Sequence, residues 1–133
     1  MLAARRKRRY RPDALPIQKA PPRGRMKAKR YKNPKHIAAL HDWSCCLAGL
    51  GECDGPVEVH HLLMPWVGIR CAGRKSDDRN GIPLCYGHHR GNIGVHKRGD
   101  EEAFFREKTG FPEFGRRQAE ELWKSSDFWE PLP

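Results

Sequence analysis

The stretch PLCYGHHRGNIGVH, residues 83–96, carries one Cys and three His in fourteen residues. Five of the seven His of the chain lie between positions 60 and 96, because the run EVHHLL adds a further pair. Cys85 and His88 are three positions apart, a spacing that lets both side chains reach one tetrahedral ion from a turn or a helix start. The stretch therefore predicts a metal site whose remaining ligands lie elsewhere in the chain.

A loop upstream, SCCLAGLGECDGP, offers those ligands. Cys45 or Cys46, together with Cys53, would complete a set of three Cys and one His with Cys85 and His88, which is typical of a closed structural Zn²⁺ site. Seven residues lie between Cys45 and Cys53, and six between Cys46 and Cys53, so this loop is longer than the Cys-x2-Cys turn of a compact zinc knuckle. The alternative is that these cysteines are buried free thiols, which are common in proteins.

The adjacent pair His88 and His89 predicts a second site. Neighbouring side chains on a helix point about 100° apart, so His89 faces elsewhere if His88 faces the zinc. His89, His96 and the pair His60 and His61 would then form a cluster of imidazoles with open positions for water and substrate. Such an open site is typical of a catalytic metal ion.

The charge of the 133-residue chain is unevenly placed. The formal net charge is +10, but residues 1–35 hold 14 Lys/Arg and one Asp, whereas residues 36–133 hold 12 Lys/Arg and 15 Asp/Glu. The first segment also has five Pro and few large apolar residues, which predicts a flexible basic arm, residues 1–32, before a folded domain, residues 33–133. A mobile cationic arm suits nucleic acid; the alternative is a solvated tail that aids solubility.

Composition also indicates the setting of the protein. No apolar run approaches the length of a membrane span, and no apolar stretch follows the basic N-terminus, so no secretory signal is evident. Five Cys is an odd number, and without a signal we expect the reducing cytoplasm and metal ligation rather than disulfides. A folded part of this size gains much from a structural metal.

The order of elements predicts a small α+β domain. Asn33-Pro34 opens a short helix through KHIAALHDW, in which Ile37, Ala38 and Leu40 would face inward. VEVHHLL and IPLC are interpreted as two strands, and YGHHRG begins a helical turn. Helices through DEEAFFREKTG and GRRQAEELWKSS follow. Two strands are too few for a barrel or a sandwich.

Taken in order, these motifs resemble those of a known family. The His-His strand followed by NGIPLCYGHH and a later His resembles the HNH endonucleases, also named ββα-metal or His-Me finger nucleases. The runs KSDDRNGIPLCYGHH, VHKRGDEEAFF and AEELW, with NPKHIAALHDWSCC before them, are similar to a phage and prophage branch that includes a recombination-enhancement nuclease acting with RecA. The resemblance covers residues 33–126. It implies a treble-clef-like ββα-metal domain with DNA as its partner, and a recombinase such as RecA as a further partner.

The resemblance also implies a role for each polar residue of the motif. His61 would be the general base that removes a proton from the attacking water, a task that suits a neutral His near pH 7. His60 and His89 would bind one catalytic ion, Mg²⁺ or Mn²⁺, and His96 would be a third ligand or bind the scissile phosphate. Asn80 would brace the loop and help to orient the base; the alternative is a plain Asn-Gly turn.

The motif region is a basic island in an acidic domain. Residues 59–98 contain seven Lys/Arg against two Asp, a net charge of +5. We expect Lys75, Arg79 and Arg74 to contact DNA phosphates. The alternative is an ordinary solvated loop.

Three functions compete on these observations. The leading one is a metal-dependent DNA endonuclease or nickase that acts in phage recombination or DNA processing. A non-catalytic, zinc-stabilised DNA-binding module would keep the Cys-rich site but would have no use for the four His of the second cluster. A basic interaction protein, such as a partner of a recombinase or a ribosome, would explain the arm but none of the His. The retained His therefore favour the enzyme.

Overall fold

The computed structural model describes residues 30–68, 70 and 74–130, so the predicted arm lies outside the described residues as far as residue 29. The described part confirms the predicted α+β class, a hairpin followed by helices. Its helices and strands, in chain order, are α1 (Pro34–His41), β1 (Val57–His61), β2 (Gly81–Cys85), α2 (Tyr86–His89), α3 (Val95–Arg98), α4 (Glu101–Thr109) and α5 (Phe114–Lys124). Short 3-10 turns lie at Ala48–Leu50 and Asp78–Asn80.

The two strands pair as an antiparallel hairpin in which His60 lies opposite Ile82 and His61 lies opposite Gly81. Every residue of β2 is buried, because helices cover it on one side and the Cys-containing loop on the other. β1 ends at His61, earlier than the run VEVHHLL predicted. The chain leaves the ladder there because the backbone N–H of Leu63 donates to the Glu101 carboxylate, at 3.0 Å, instead of to a strand.

One apolar core joins the hairpin to helices α4 and α5. Burying one large apolar side chain, such as Leu, Ile or Phe, stabilises the folded state by about 1.5–3 kcal/mol. A Cβ atom added at Gly115 would lie 2.7 Å from the Phe105 ring and 2.9 Å from Leu62, so α5 can approach the core this closely only with glycine there. The fully buried members of the core include Leu47, Leu62, Ile82, Leu84, Val95, Phe104, Phe105 and Ala119.

Helix α1 begins where the sequence predicts, because the Asn33 side chain caps it by accepting from the backbone N–H of His36 at 3.0 Å. Its buried face differs from the prediction. Leu40 is buried as expected, but Ala38 is exposed and His36 is buried in its place. The reason is the neighbour: the edge of the His36 ring packs against Trp123 of α5, with ring centroids 4.9 Å apart.

The C-terminal half contains one helix that the sequence pattern missed, the four-residue α3. α4 begins after Asp100, the first residue of the run DEEAFFREKTG, because Asp100 accepts from the Ala103 N–H at 3.0 Å. It ends at its C-cap Gly110, whose φ of 85° is left-handed. α5 buries Ala119 and Trp123, and Leu122 is half-buried. Among the helices of the described part, none combines the length and the apolar character that a membrane crossing requires.

Candidate metal centres and the basic cleft

The first candidate centre lies where β2 runs into α2. Cys85 is the N-cap of α2 and its sulfur accepts the backbone N–H of His88 at 3.4 Å, so the turn itself directs both side chains to one point. His88 Nδ1 lies 3.2 Å from Cys85 Sγ, 3.5 Å from Cys45 Sγ and 3.7 Å from Cys53 Sγ. The upstream loop supplies the last two sulfurs.

These separations fit a zinc ion. A tetrahedral ion with Zn–S bonds of about 2.3 Å and Zn–N bonds of about 2.0 Å holds its ligand atoms about 3.5 Å apart. All four ligand atoms lie within 4.8 Å of one another. The group of Cys45, Cys53, Cys85 and His88, named the Cys–His group below, therefore has the donor set and the spacing of a structural zinc site.

The structure decides between the two adjacent cysteines of the upstream loop. The N–H of Cys46 donates to the Pro83 carbonyl at 2.9 Å, which ties the loop to β2 and turns the Cys45 sulfur toward His88. Cys46 instead packs against the apolar core. Burial, with a smaller contribution from Cys45, raises the pKa of Cys46 to about 12, so it remains a thiol. Cys71 lies outside the described residues.

The second candidate centre brings together His60, His89 and His96, named the imidazole group below. The ring centroids are 4.6–5.5 Å apart, and the Nε2 atoms of His89 and His96 approach to 3.0 Å. His60 is 1% exposed, and its Nδ1 has no hydrogen-bond partner in the described part of the chain. A buried ring nitrogen without a partner is costly, and an ion shared with the other two rings would satisfy it.

Two carboxylates select the ring nitrogens that face this group. Glu101, at the start of α4, accepts from His60 Nε2 at 2.6 Å and also from the backbone N–H groups of Leu63 and Met64. Glu58 accepts from His89 Nδ1 at 3.0 Å. A carboxylate only accepts, so each bonded nitrogen carries the hydrogen and the other nitrogen of each ring keeps a lone pair.

The protonation states suit metal binding. Burial, opposed by the Glu58 hydrogen bond and reinforced by repulsion from His60 and His96, lowers the pKa of His89 to about 4. Burial also lowers the pKa of His96 below its usual value. Both imidazoles are therefore neutral at pH 7 and have lone pairs to offer to an ion.

His61 lies beside the imidazole group in a cleft of about 440 Å³. Alternation along a strand would send His60 and His61 to opposite faces, but β1 ends at His61 and both side chains line this cleft. His61 Nε2 is 2.9 Å from the Asp78 carboxylate. Burial lowers the pKa of His61, although Asp78 opposes this shift, so the ring is neutral at pH 7.

Asn80 is fully buried and braces the loop after β1. Its Oδ1 accepts from the backbone N–H groups of Trp66 and Val67, at 2.9 and 3.4 Å, and its Nδ2 donates to the Val67 carbonyl at 3.0 Å. A role of Asn80 in orienting the base stays a prediction. The residue that hydrogen-bonds His61, however, is Asp78 and not Asn80.

Basic side chains surround the cleft. Arg74 and Lys75, both predicted DNA contacts, line it and are exposed. Arg79 lies apart from it, because its guanidinium donates to Asp77 at 2.7 Å and stacks over Tyr31 at 4.9 Å. A DNA contact by Arg79 stays a prediction. The lining also includes two cations that the sequence did not single out, Arg70 and Arg90.

The chain has no match among known protein-family models, curated proteins or solved structures. What supports the resemblance to the HNH nucleases is therefore internal to the molecule: the ordered motifs, the antiparallel hairpin followed by helices, and the Cys–His group.

Sequence reasoning missed the three carboxylates that contact the cleft histidines. Glu58 had a weak signal, since it lies two positions before His60 in a strand and so shares its side of the sheet. Glu101 looked like an ordinary acidic residue in the first turn of a helix. Asp78 is one of two adjacent Asp in a polar loop, and nothing local distinguishes it from its neighbour.

Proposed function

We propose that the protein is a metal-dependent DNA endonuclease or nickase of the HNH type. The observation that carries the proposal is the coincidence of two features in one cleft. The imidazole group presents nitrogen lone pairs, one of them otherwise without a partner in the described part of the chain, and a neutral His61 lies beside it. A non-catalytic zinc module would need neither feature.

The donor set of the imidazole group indicates which ions it would hold. His60, His89 and His96 would bind a divalent ion, which when bound supplies positive charge against the charge that develops on the phosphate and the leaving oxygen. Imidazole nitrogens suit ions such as Zn²⁺ and Ni²⁺, whereas Mg²⁺ and Mn²⁺ favour carboxylate and water oxygens. We therefore expect tighter binding of Zn²⁺ or Ni²⁺ than of the Mg²⁺ or Mn²⁺ that the resemblance implies.

The general base would be His61. With Nε2 bonded to a carboxylate, Nδ1 is the nitrogen that carries the lone pair, and it can take a proton from a water that attacks the phosphorus. The lowered pKa keeps this base unprotonated at pH 7. Its place beside the imidazole group puts the proton acceptor and the charged centre in the same cleft.

The basic lining would hold the substrate. Arg70, Arg74 and Lys75 present cations along the cleft, whereas Arg90 pairs with Glu58. Lys/Arg contacts to phosphate position a nucleic acid without reading its sequence. The basic segment 1–29 would add sequence-independent attraction to DNA. Action together with a recombinase such as RecA is part of the proposal and rests on the family resemblance alone.

A plasmid-nicking assay tests the proposal. Wild type, His61→Ala and the control His41→Ala are incubated with EDTA, Zn²⁺, Mn²⁺ or Mg²⁺. His41 is an exposed histidine of α1 whose ring hydrogen-bonds the Val57 carbonyl, away from the cleft. We expect a metal-dependent activity that His61→Ala lowers about 10²–10⁴-fold and His41→Ala leaves unchanged.

Two outcomes of this assay count against the proposal. If His61→Ala nicks DNA as fast as wild type, His61 is not the base. If wild type binds DNA but nicks it with none of the ions, the zinc-stabilised DNA-binding module is the better description.

A further inference from the structure

Asp78 is a buried carboxylate with an unusually complete set of contacts. It is 5% exposed and lies in the 3-10 turn just before β2. One oxygen, Oδ1, is 2.9 Å from His61 Nε2, and the other, Oδ2, accepts from the backbone N–H of Asn33 at 2.7 Å. Its own N–H donates to the Tyr31 carbonyl at 3.2 Å.

These contacts hold Asp78 in place without help from an ion. The backbone groups of residues 31 and 33, which bond Asp78, precede α1 and belong to neither metal centre. Arg30 adds a cation 4.0 Å from Oδ1. The carboxylate is therefore fixed by the fold and meets His61 in a predetermined orientation.

A fixed carboxylate decides which tautomer His61 adopts. Asp78 can accept but not donate, so His61 must place its hydrogen on Nε2. Nδ1 then carries the lone pair, and it makes no hydrogen bond within the described residues. Without such a partner a neutral imidazole exchanges between two tautomers, and only one of them can accept a proton at Nδ1.

We propose that Asp78 positions the general base: it holds His61 in the Nε2–H tautomer, so that Nδ1 accepts the proton of the attacking water. The inference rests on the proposed function. Asp78 neither lines the cleft nor belongs to either metal group. It acts through His61, and the backbone before α1 acts through Asp78.

Replacement by Asn makes a sharp test because it keeps the size of the side chain. The Asn33 N–H still needs an acceptor, so the amide oxygen takes the place of Oδ2 and the amide NH₂ faces His61. A donor at that position requires a lone pair on Nε2, which moves the hydrogen to Nδ1. Asp78→Asn therefore converts His61 to the wrong tautomer.

The experiment measures the tautomer and the rate on the full-length, zinc-loaded chain. Nitrogen-15 NMR of the His61 ring reads the tautomer directly, and single-turnover nicking gives the rate. In wild type we expect Nε2–H; in Asp78→Asn we expect Nδ1–H, with kcat lower by about 10²–10⁴-fold, no more than in His61→Ala, and little change in KM. The matched control is Asp77→Asn, a neighbouring carboxylate that is 8% exposed and bonds Arg79 rather than His61. It should leave His61 as the Nε2–H tautomer.

The outcomes separate this inference from the proposed function. Wild type with the Nδ1–H tautomer, or Asp78→Asn with an unchanged kcat in an active enzyme, overturns the role of Asp78. An inactive wild type overturns the proposed function instead, whatever the tautomer. If Asp78→Asn does not fold, the wild-type tautomer alone still decides, because Nδ1–H there contradicts the inference.

Discussion

Glu101 provides the most discriminating test of the imidazole group. Its carboxylate is the acceptor for three donors at once: His60 Nε2 at 2.6 Å and the backbone N–H groups of Leu63 and Met64 at 3.0 and 2.9 Å. Glu101→Gln keeps the volume but offers one acceptor oxygen instead of two. At least one buried donor therefore loses its partner.

The magnitude follows from those contacts. A buried donor left unsatisfied costs about 1–3 kcal/mol, so Glu101→Gln should lower the free energy of unfolding by that amount. His60 and Leu63 share Oε1, so the amide oxygen keeps that place and Met64 is the donor that loses its acceptor. His60 then bonds a neutral amide instead of a carboxylate, which makes its Nδ1 a weaker metal ligand. Loss of such a partner of a metal ligand typically lowers metal affinity about 10–100-fold. We expect both effects together.

The assay is a Zn²⁺ titration followed by urea unfolding at fixed free zinc. The Cys–His group fills first, since it has more thiolate ligands, and the second binding step reports the imidazole group. Glu102→Gln is the matched control. Glu102 is the next residue along α4, and it pairs with Arg116 at 3.0 Å near the surface, where such pairs contribute at most about 1 kcal/mol.

Unchanged affinity of the second step in Glu101→Gln would contradict a role of Glu101 in holding His60 for the ion. A loss of stability alone would show that Glu101 only holds the loop after β1. A loss of affinity in both variants would mean that the effect comes from charge near α4 and not from the contact with His60.

Three further predictions concern the rest of the molecule. Cys85→Ser should lose the structural zinc and unfold the domain, because such a zinc contributes about 10–16 kcal/mol against a typical stability of about 5–15 kcal/mol. Elemental analysis should find the full zinc content in Cys46→Ser. A general base must be neutral to accept a proton, and burial lowers the pKa of His61 below its usual 6.5. The acid limb of the pH profile of kcat/KM should therefore have its midpoint below pH 6.5. A midpoint above that value would contradict the proposal that His61 is the base. Residues 1–29 hold 11 Lys/Arg and one Asp, and their deletion should weaken DNA binding. The slope of log K against log salt concentration should become shallower by about 0.9 for each phosphate contact that is lost. An unchanged slope would mean that the segment only aids solubility.

The order of residues was enough to predict the α+β class, the two strands, the start of α1, both ends of α4 and the Cys85–His88 half of the first centre. The helix ends and the Cys–His pair depend on short-range rules. A capping side chain bonds a backbone group three residues away, a glycine after a helix takes a left-handed conformation, and a Cys at the N-cap meets a His one turn later. Such rules are legible from the order of residues alone.

The contacts between the cleft histidines and their carboxylates depend on tertiary packing. Packing brings Cys45, and not Cys46, to His88. It also places Asp78, and not Asn80, beside His61, and Glu101 beside His60. These pairs are separated by 43 residues for Cys45 and His88, 17 for His61 and Asp78, and 41 for His60 and Glu101. A hydrogen bond requires its atoms within about 3 Å, and across such separations that closeness is set by how the loop and helices pack, which no local pattern encodes.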